Sequence, residues 1–404
     1  MSTLLRLSLL SRRSRLTLAL VASVTLLAGP ARLAAKAAAA EASPTIPGRI
    51  VLDLAPGPGN PRNSEGAFLD LRDGGILFVY SRFTGTSFAD EAAARIAQRT
   101  SRDAGETWSG ERFIDTPEEK TAMNVMSVSL LRLGNGDIGL FYLLRRSWHD
   151  MRMYLRRSSD EGRTWGQPIC CSPATAYYVV NNDRVIRLAS GRLVIPAAVH
   201  PALTDANDHH ALDWRALALF FLSDDDGRTW RQSQGLSSLP VSHTRSGLQE
   251  PGVIEVAPNH LWAWARTDLG RQYEFFSTDG GETWTVPAPS RFTSPNSPLS
   301  MKRLAATGKL LAVWNPAPAY ETRTLRPYGG DRTPLVVATG TSANEPWTAA
   351  ALVDGYDGID AGFCYTAIHE TQDGVLLAYC AGGEADLHRL ARLRVRKLPL
   401  SALK

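Results

Sequence analysis

The chain has 404 residues, 44% hydrophobic and 21% charged, with a formal net charge of +4. That length supports a sizeable core without disulfide staples. Six basic residues and no acidic ones lie within residues 1–40, so the rest of the chain carries a net charge of −2, which argues against nucleic acid as a partner.

In chain order the first element is a leader. Arg6, Arg12, Arg13 and Arg15 precede an apolar run, Leu16 to Leu27, and small residues from Ala34 to Ala40 follow. A run of about a dozen residues is too short for the roughly 30 Å hydrocarbon core of a bilayer, so residues 1–40 are expected to be a signal peptide rather than a membrane span. The protein is expected to be exported, periplasmic or secreted.

After the leader a repeat sets the organisation. The pattern S-x-D-x-G-x-T-W occurs at Ser101–Trp108, Ser158–Trp165, Ser223–Trp230 and Ser277–Trp284, with a worn copy at Ser342–Trp347. Measured at Asp103, Asp160, Asp225 and Asp279, the spacings are 57, 65 and 54 residues. The chemistry is that of a hairpin turn: Ser and Asp accept backbone N–H bonds, Gly takes the left-handed position, Thr restarts a strand and Trp packs between units. Six apolar strands lie between these turns, at Ile76–Tyr80, Ile138–Tyr142, Leu193–Ala197, Leu261–Trp264, Leu310–Trp314 and Val375–Tyr379. Without any helical period, they predict an all-β six-bladed β-propeller of four-stranded antiparallel blades, occupying residues 45–404 as one domain. Four cysteines remain. Cys364 and Cys380 either bridge neighbouring strands or stay as buried thiols.

The repeat is the Asp box, and the chain resembles the sialidase superfamily over essentially all of residues 45–404. The box reports fold, not activity. The resemblance implies a retaining exo-glycosidase with three arginines on a substrate carboxylate, an Asp general acid, and a Tyr nucleophile assisted by a Glu.

Carried onto this sequence, the first arginine is Arg62 in Pro61-Arg62-Asn63-Ser64-Glu65, where the family's Ile-Pro is missing. Arg82 follows the strand Ile76–Tyr80, and Asp90, with Glu91 as a rival, matches the general acid. Glu250, with Glu255 as a rival, and Arg266 stand on adjacent strands before an Asp box. Arg332 matches the third arginine, with Arg323 and Arg326 as near rivals, and Tyr365 matches the nucleophile. Asn182, Asp183 and Arg184 begin a strand and are expected to line the pocket, as are residues of Asn124–Ser129. His200, Asp205, Asp208, His209 and His210 fall in one segment whose spacing fits no common metal site, and it is read as a loop over the pocket.

The chemistry asks for this set. Arginine forks bind a carboxylate bidentately and stay charged. A substrate with a carboxylate on its reacting carbon repels a carboxylate nucleophile, whereas a phenol is neutral until a neighbouring Glu takes its proton. No cofactor is implied. The expected partner is an acidic glycan, with sialic acid, another ulosonic acid or a uronic acid as candidates. The alternative from another class is a propeller that binds acidic glycans without cleaving them.

Overall fold

A computed structural model describes residues 46–116, 121–239, 241, 243–318, 331–355, 361–386 and 388–403. The leader, Arg323 and Arg326 lie outside them. The described residues are all-β, with only short 3-10 turns at His209–Ala211, Glu384–Asp386 and Leu400–Leu403. No helix among them is long and apolar enough to cross a membrane.

All six apolar strands expected from the sequence are present, each the second strand of an antiparallel set. Four sets are separate four-stranded sheets. The other two are recorded as one nine-stranded sheet, joined by a single parallel pairing of Tyr177 with Met151, so the strands form five sheets. The last sheet draws its fourth strand from the other end of the chain: Arg49–Leu54 pairs with Leu393–Pro399. First strands pack on one another at Asn63–Asp70 with Asn124–Arg132, Gln249–Ala257 with Ser300–Arg303, and Ser300–Arg303 with Gly362–Glu370, and Gly362–Glu370 returns against Asn63–Asp70.

Second strands are buried on both faces because each sheet is covered on either side by a neighbour. Gly374–Gly382 is buried throughout, as is Ile138–Ser147 apart from its last two residues. This is why these strands read as unbroken apolar runs rather than alternating ones.

The four Asp boxes form one repeated turn. In the third, the Ser223 hydroxyl donates to Asp225 Oδ1 at 2.9 Å and accepts from Gly227 N at 2.8 Å. Asp225 also accepts from Thr229 N and Thr229 Oγ1, at 2.9 and 2.6 Å. The fourth box's Trp284 stacks on Phe220 of the preceding strand set, 3.9 Å between ring centroids. The packing is tight: a Cβ on Gly105 would lie 2.6 Å from Leu376. The worn copy keeps its turn and Trp347, whose indole donates to Ser342 O at 3.0 Å.

First strands carry the feature that builds the site. The pairing register slips between Ser64 and Ala67, Met126 and Ser129, Gln249 and Gly252, and Cys364 and Ala367. Within these bulges Glu65, Ser127, Glu250 and Tyr365 have φ of 57°, 56°, 46° and 58°. Left-handed backbone at a non-glycine residue costs on the order of 1–3 kcal/mol and is characteristic of functional sites. A bulge inserts one residue and re-aims its side chain, here out of the strand's alternation. Gly252 beside Glu250 is required by crowding, because a Cβ there would meet the Trp264 ring at 2.4 Å.

Candidate functional site

The four bulge residues line one cavity of about 300 Å³. A second, of about 550 Å³, shares Asp90, His209, Trp214, Gln249 and Arg266 with it and adds Arg332, His388 and Arg389. Together they form one cleft.

At its centre the Tyr365 hydroxyl donates to Glu250 Oε1 at 3.1 Å and accepts from Arg266 Nη1 at 3.2 Å. The same Arg266 nitrogen lies 3.0 Å from Glu250 Oε2 as a charge contact, while that oxygen has no hydrogen-bond donor. Gln249 Oε1 accepts from Arg266 Nε and Nη2 at 3.0 and 2.7 Å, fixing the guanidinium plane. Arg332 stands over the Tyr365 ring, 5.3 Å from its centroid. Burial and the Glu250 carboxylate raise the phenol's pKa, and Arg266 and Arg332 oppose them. The resting group is therefore a neutral phenol with a base and two cations beside it.

Arg332 is buried and held by weak partners, donating to Cys364 Sγ at 3.2 Å and to Asn296 O at 3.3 Å. Cys364 and Cys380 are free thiols on directly paired residues, so they do not bridge their strands.

Arg62, 1% exposed, is engaged through both terminal nitrogens, while its Nε has no partner. Its Nη1 donates to Asp90 Oδ1 at 2.5 Å, and its Nη2 donates to Glu65 Oε1 and Ser64 Oγ, both at 3.1 Å. The Asp90 side chain keeps 60% of its surface open to the cleft. Desolvation raises its pKa, but the Arg62 charge and hydrogen bond, with Arg145 and His388, outweigh this and leave it lowered. Glu65 shifts the other way: burial raises its pKa despite Arg62 and the Ser127 hydroxyl, which donates to its Oε2 at 2.7 Å.

Asp90, Glu250, Tyr365, Arg62, Arg266 and Arg332 are thus placed in or against one cleft. Arg82 is not among them. It shares a strand face with Tyr80, whose hydroxyl donates to Glu111, and it meets the same carboxylate as an ion pair, Arg82 Nε at 3.1 Å from Glu111 Oε1. Strand alternation sends it to the far side of the sheet from Arg62 and its partners. Asn182 is buried beneath the cleft, donating to Gly66 O at 2.7 Å and Tyr365 O at 3.2 Å, so it holds two bulges without lining the cavity.

Asp183 and Arg184 line a different cavity with Lys302. Asp183 accepts from Lys302 Nζ at 2.8 Å, and Arg184, buried under Trp264, donates to Leu299 O at 2.6 Å. Burial lowers the Arg184 pKa to about 10. Among the Asn124–Ser129 residues, Met126 and Ser127 line the cleft, whereas Asn124 donates to the Asp90 carbonyl. Of the histidine segment, His200 and His209 line the cleft. No group of three metal-ligating side chains occurs among the described residues. The rival Glu255 caps backbone amides of Ala189 and Asn259 away from the site.

The sequence profile of the BNR repeat-like domain family matches residues 86–377. The chain belongs to that family. A sialidase of Bacteroides fragilis is 26% identical to this BNR-repeat chain over 155 residues, 37% of the chain and a quarter of that sialidase's length. Among solved structures, the Hadza microbial sialidase Hz136 superposes with a TM-score of 0.65 at 18% identity, over 86% of this chain and 67% of that one. The NanB sialidase of Streptococcus pneumoniae gives 0.66 at 12% identity, over 89% and 71%. At these identities the structural likeness establishes the fold.

Glu65, Gln249 and Arg145 are among the cleft residues of this BNR-repeat chain that escaped the sequence reading as site residues. Glu65 and Gln249 sit in motifs that were singled out, and the left-handed bulge that aims Glu65 has no local signature. The available sign for Arg145 was a charged residue ending the buried run Ile138–Leu144.

Proposed function

We propose that the protein is an exported, retaining exo-glycosidase built as a six-bladed β-propeller, and that it releases a terminal sialic acid or related acidic sugar from glycans. The observation that carries this reading is the Tyr365 hydroxyl held between Glu250 and Arg266 with Arg332 over its ring. A non-catalytic binder gains nothing from a left-handed Tyr and a left-handed Glu set in hydrogen-bond contact.

In this reading Glu250 takes the phenol proton as Tyr365 attacks the anomeric carbon, and Arg266 and Arg332 stabilise the phenolate while their outer nitrogens hold the sugar carboxylate. Asp90 protonates the departing oxygen and then activates water for the second displacement. A lowered pKa opposes the first of those roles in the free enzyme. Transfer of Arg62 Nη1 from Asp90 to the substrate carboxylate removes the cation responsible, so binding itself raises the Asp90 pKa. The prior engagement of Arg62 by Glu65 and Asp90 also favours a second reading of specificity, an ulosonic or uronic acid other than sialic acid.

The stereochemistry tests the mechanism. Proton NMR of the first sugar released from an α-linked sialoside should show the α anomer. Release of the β anomer would remove Tyr365 as nucleophile.

A further inference from the structure

The cleft holds a further buried cation that this mechanism does not use. Arg145 is 3% exposed and lines the same cavity as Tyr365 and Glu250. Its Nε donates to Met151 Sδ at 3.4 Å, and its guanidinium lies over the rings of Trp148 and Tyr177, 5.3 and 5.5 Å from their centroids. The Tyr177 hydroxyl is a polar neighbour, and the Asp90 carboxylate lies near enough to feel the Arg145 charge. Arg145 Nη1 has no partner, and none of the carboxylates among the described residues forms an ion pair with it. Asn181, equally buried, lines that cavity too; its Oδ1 accepts from Asn182 N at 2.7 Å, leaving Nδ2 with nothing to donate to.

A buried guanidinium without a paired carboxylate is costly, and an unfilled buried donor adds to the cost. The larger cavity shows the same condition at Arg332, whose partners are a thiol sulfur and a carbonyl. Each half of the cleft therefore presents a fixed positive charge that its own carboxylates leave unpaired. Trp148, Tyr177 and Met151 give Arg145 an aromatic and apolar surround that suits a sugar face bearing an oxyanion, in a cavity that Asp90 and Glu91 also line.

We propose that the cleft binds two anionic groups of one substrate. The carboxylate of the reacting sugar goes to Arg266 and Arg332, and a second oxyanion, a sulfate ester or second carboxylate, goes to Arg145 and Asn181. Only the first assignment rests on the glycosidase reading. The second group comes either from the reacting sugar or from the sugar next to it.

Inorganic sulfate is the probe, titrated calorimetrically at constant ionic strength into the full chain. In the Arg332→Gln background the first fork is broken, and sulfate should still bind saturably. Adding Arg145→Gln should weaken it at least about tenfold, the loss of one charge-assisted contact. Equal affinity in both variants, or no binding to Arg332→Gln, overturns the proposal. Melting temperature and near-ultraviolet dichroism check folding. Should Arg145→Gln fail to fold, Asn181→Ala in the same background removes one donor and should weaken sulfate several-fold; unchanged affinity there also counts against it.

Fluorogenic sialosides sulfated on the acidic sugar or on its neighbour then identify the source by which one shows the lower KM. Identical KM for both and for the unsulfated compound contradicts the second subsite. Absence of all turnover excludes sialic acid as the reacting sugar, while the sulfate titration still decides the fate of Arg145.

Discussion

Replacing Glu250 by Gln keeps the shape of the side chain and removes its charge, and two consequences oppose one another. The Tyr365 phenol donates to Glu250 Oε1 at 3.1 Å, so the variant loses the base that accepts its proton. Loss of a positioned base costs roughly 10²- to 10⁴-fold in rate, about 3–5 kcal/mol of transition-state stabilisation. The same carboxylate also holds the phenol's pKa up. Two unit charges at that separation interact by about 5 kcal/mol at an effective dielectric near 20 and by about 1 kcal/mol in water. A partly open cleft lies between, so the Tyr365 pKa should fall by about one to three units once Glu250 is neutral. Residual kcat of Glu250→Gln should therefore climb with pH as Tyr365 ionises. Ultraviolet difference titration against Tyr365→Phe should place that ionisation below its wild-type position. A variant with full kcat at neutral pH, or a phenol pKa that does not move, would refute the pairing of these two residues.

Other outcomes follow from the same geometry. Arg332→Lys should raise KM at least about tenfold with a smaller change in kcat, because an ammonium cannot present two parallel donors to a carboxylate; equal KM would remove Arg332 from substrate binding. The descending alkaline limb of kcat should lie at higher pH than that of kcat/KM, since Arg62 depresses the Asp90 pKa only until substrate draws it away; coincident limbs would contradict the transfer. Burial, with the nearby Arg266 charge, holds the His200 pKa at about 4, below its ordinary 6.5. Its contribution to stability is present above pH 6.5 and is lost as pH falls through 4, up to about 3 kcal/mol, so His200→Gln should flatten denaturant-measured stability over that interval. Asp225→Ala should lower the melting temperature by removing the Thr229 and Ser223 bonds, and leave kcat unchanged.

The parts legible in the sequence are those with local chemistry. An Asp box is a closed set of hydrogen bonds within eight residues, so Asp103, Asp160, Asp225 and Asp279 announce their turns wherever they lie. The apolar second strands are legible because burial on both faces leaves no alternation to confuse. Tyr365, Glu250 and Arg266 were named through the family resemblance, which carries long-range information that composition lacks, and the structure brings the three side chains together. What failed is what depends on which way a strand faces. Arg82 is two residues beyond Tyr80 and so shares its face and its partner Glu111. Asp183 has a left-handed φ, as Glu250 has, but belongs with Lys302 in a separate cavity, a difference set by packing between sheets. The Glu65–Ser127 contact joins first strands of different sheets, and the unpaired Arg145 Nη1 depends on which side chains the folded cleft gathers around it, so neither has a local sign.

The most direct measurement is release of a fluorescent aglycone from an α-linked sialoside by wild type and Tyr365→Phe. The account predicts turnover by wild type and a loss on the order of 10³-fold or more in a folded Phe variant. Undiminished release by Tyr365→Phe would contradict it, and no release by wild type would exclude sialic acid as the sugar.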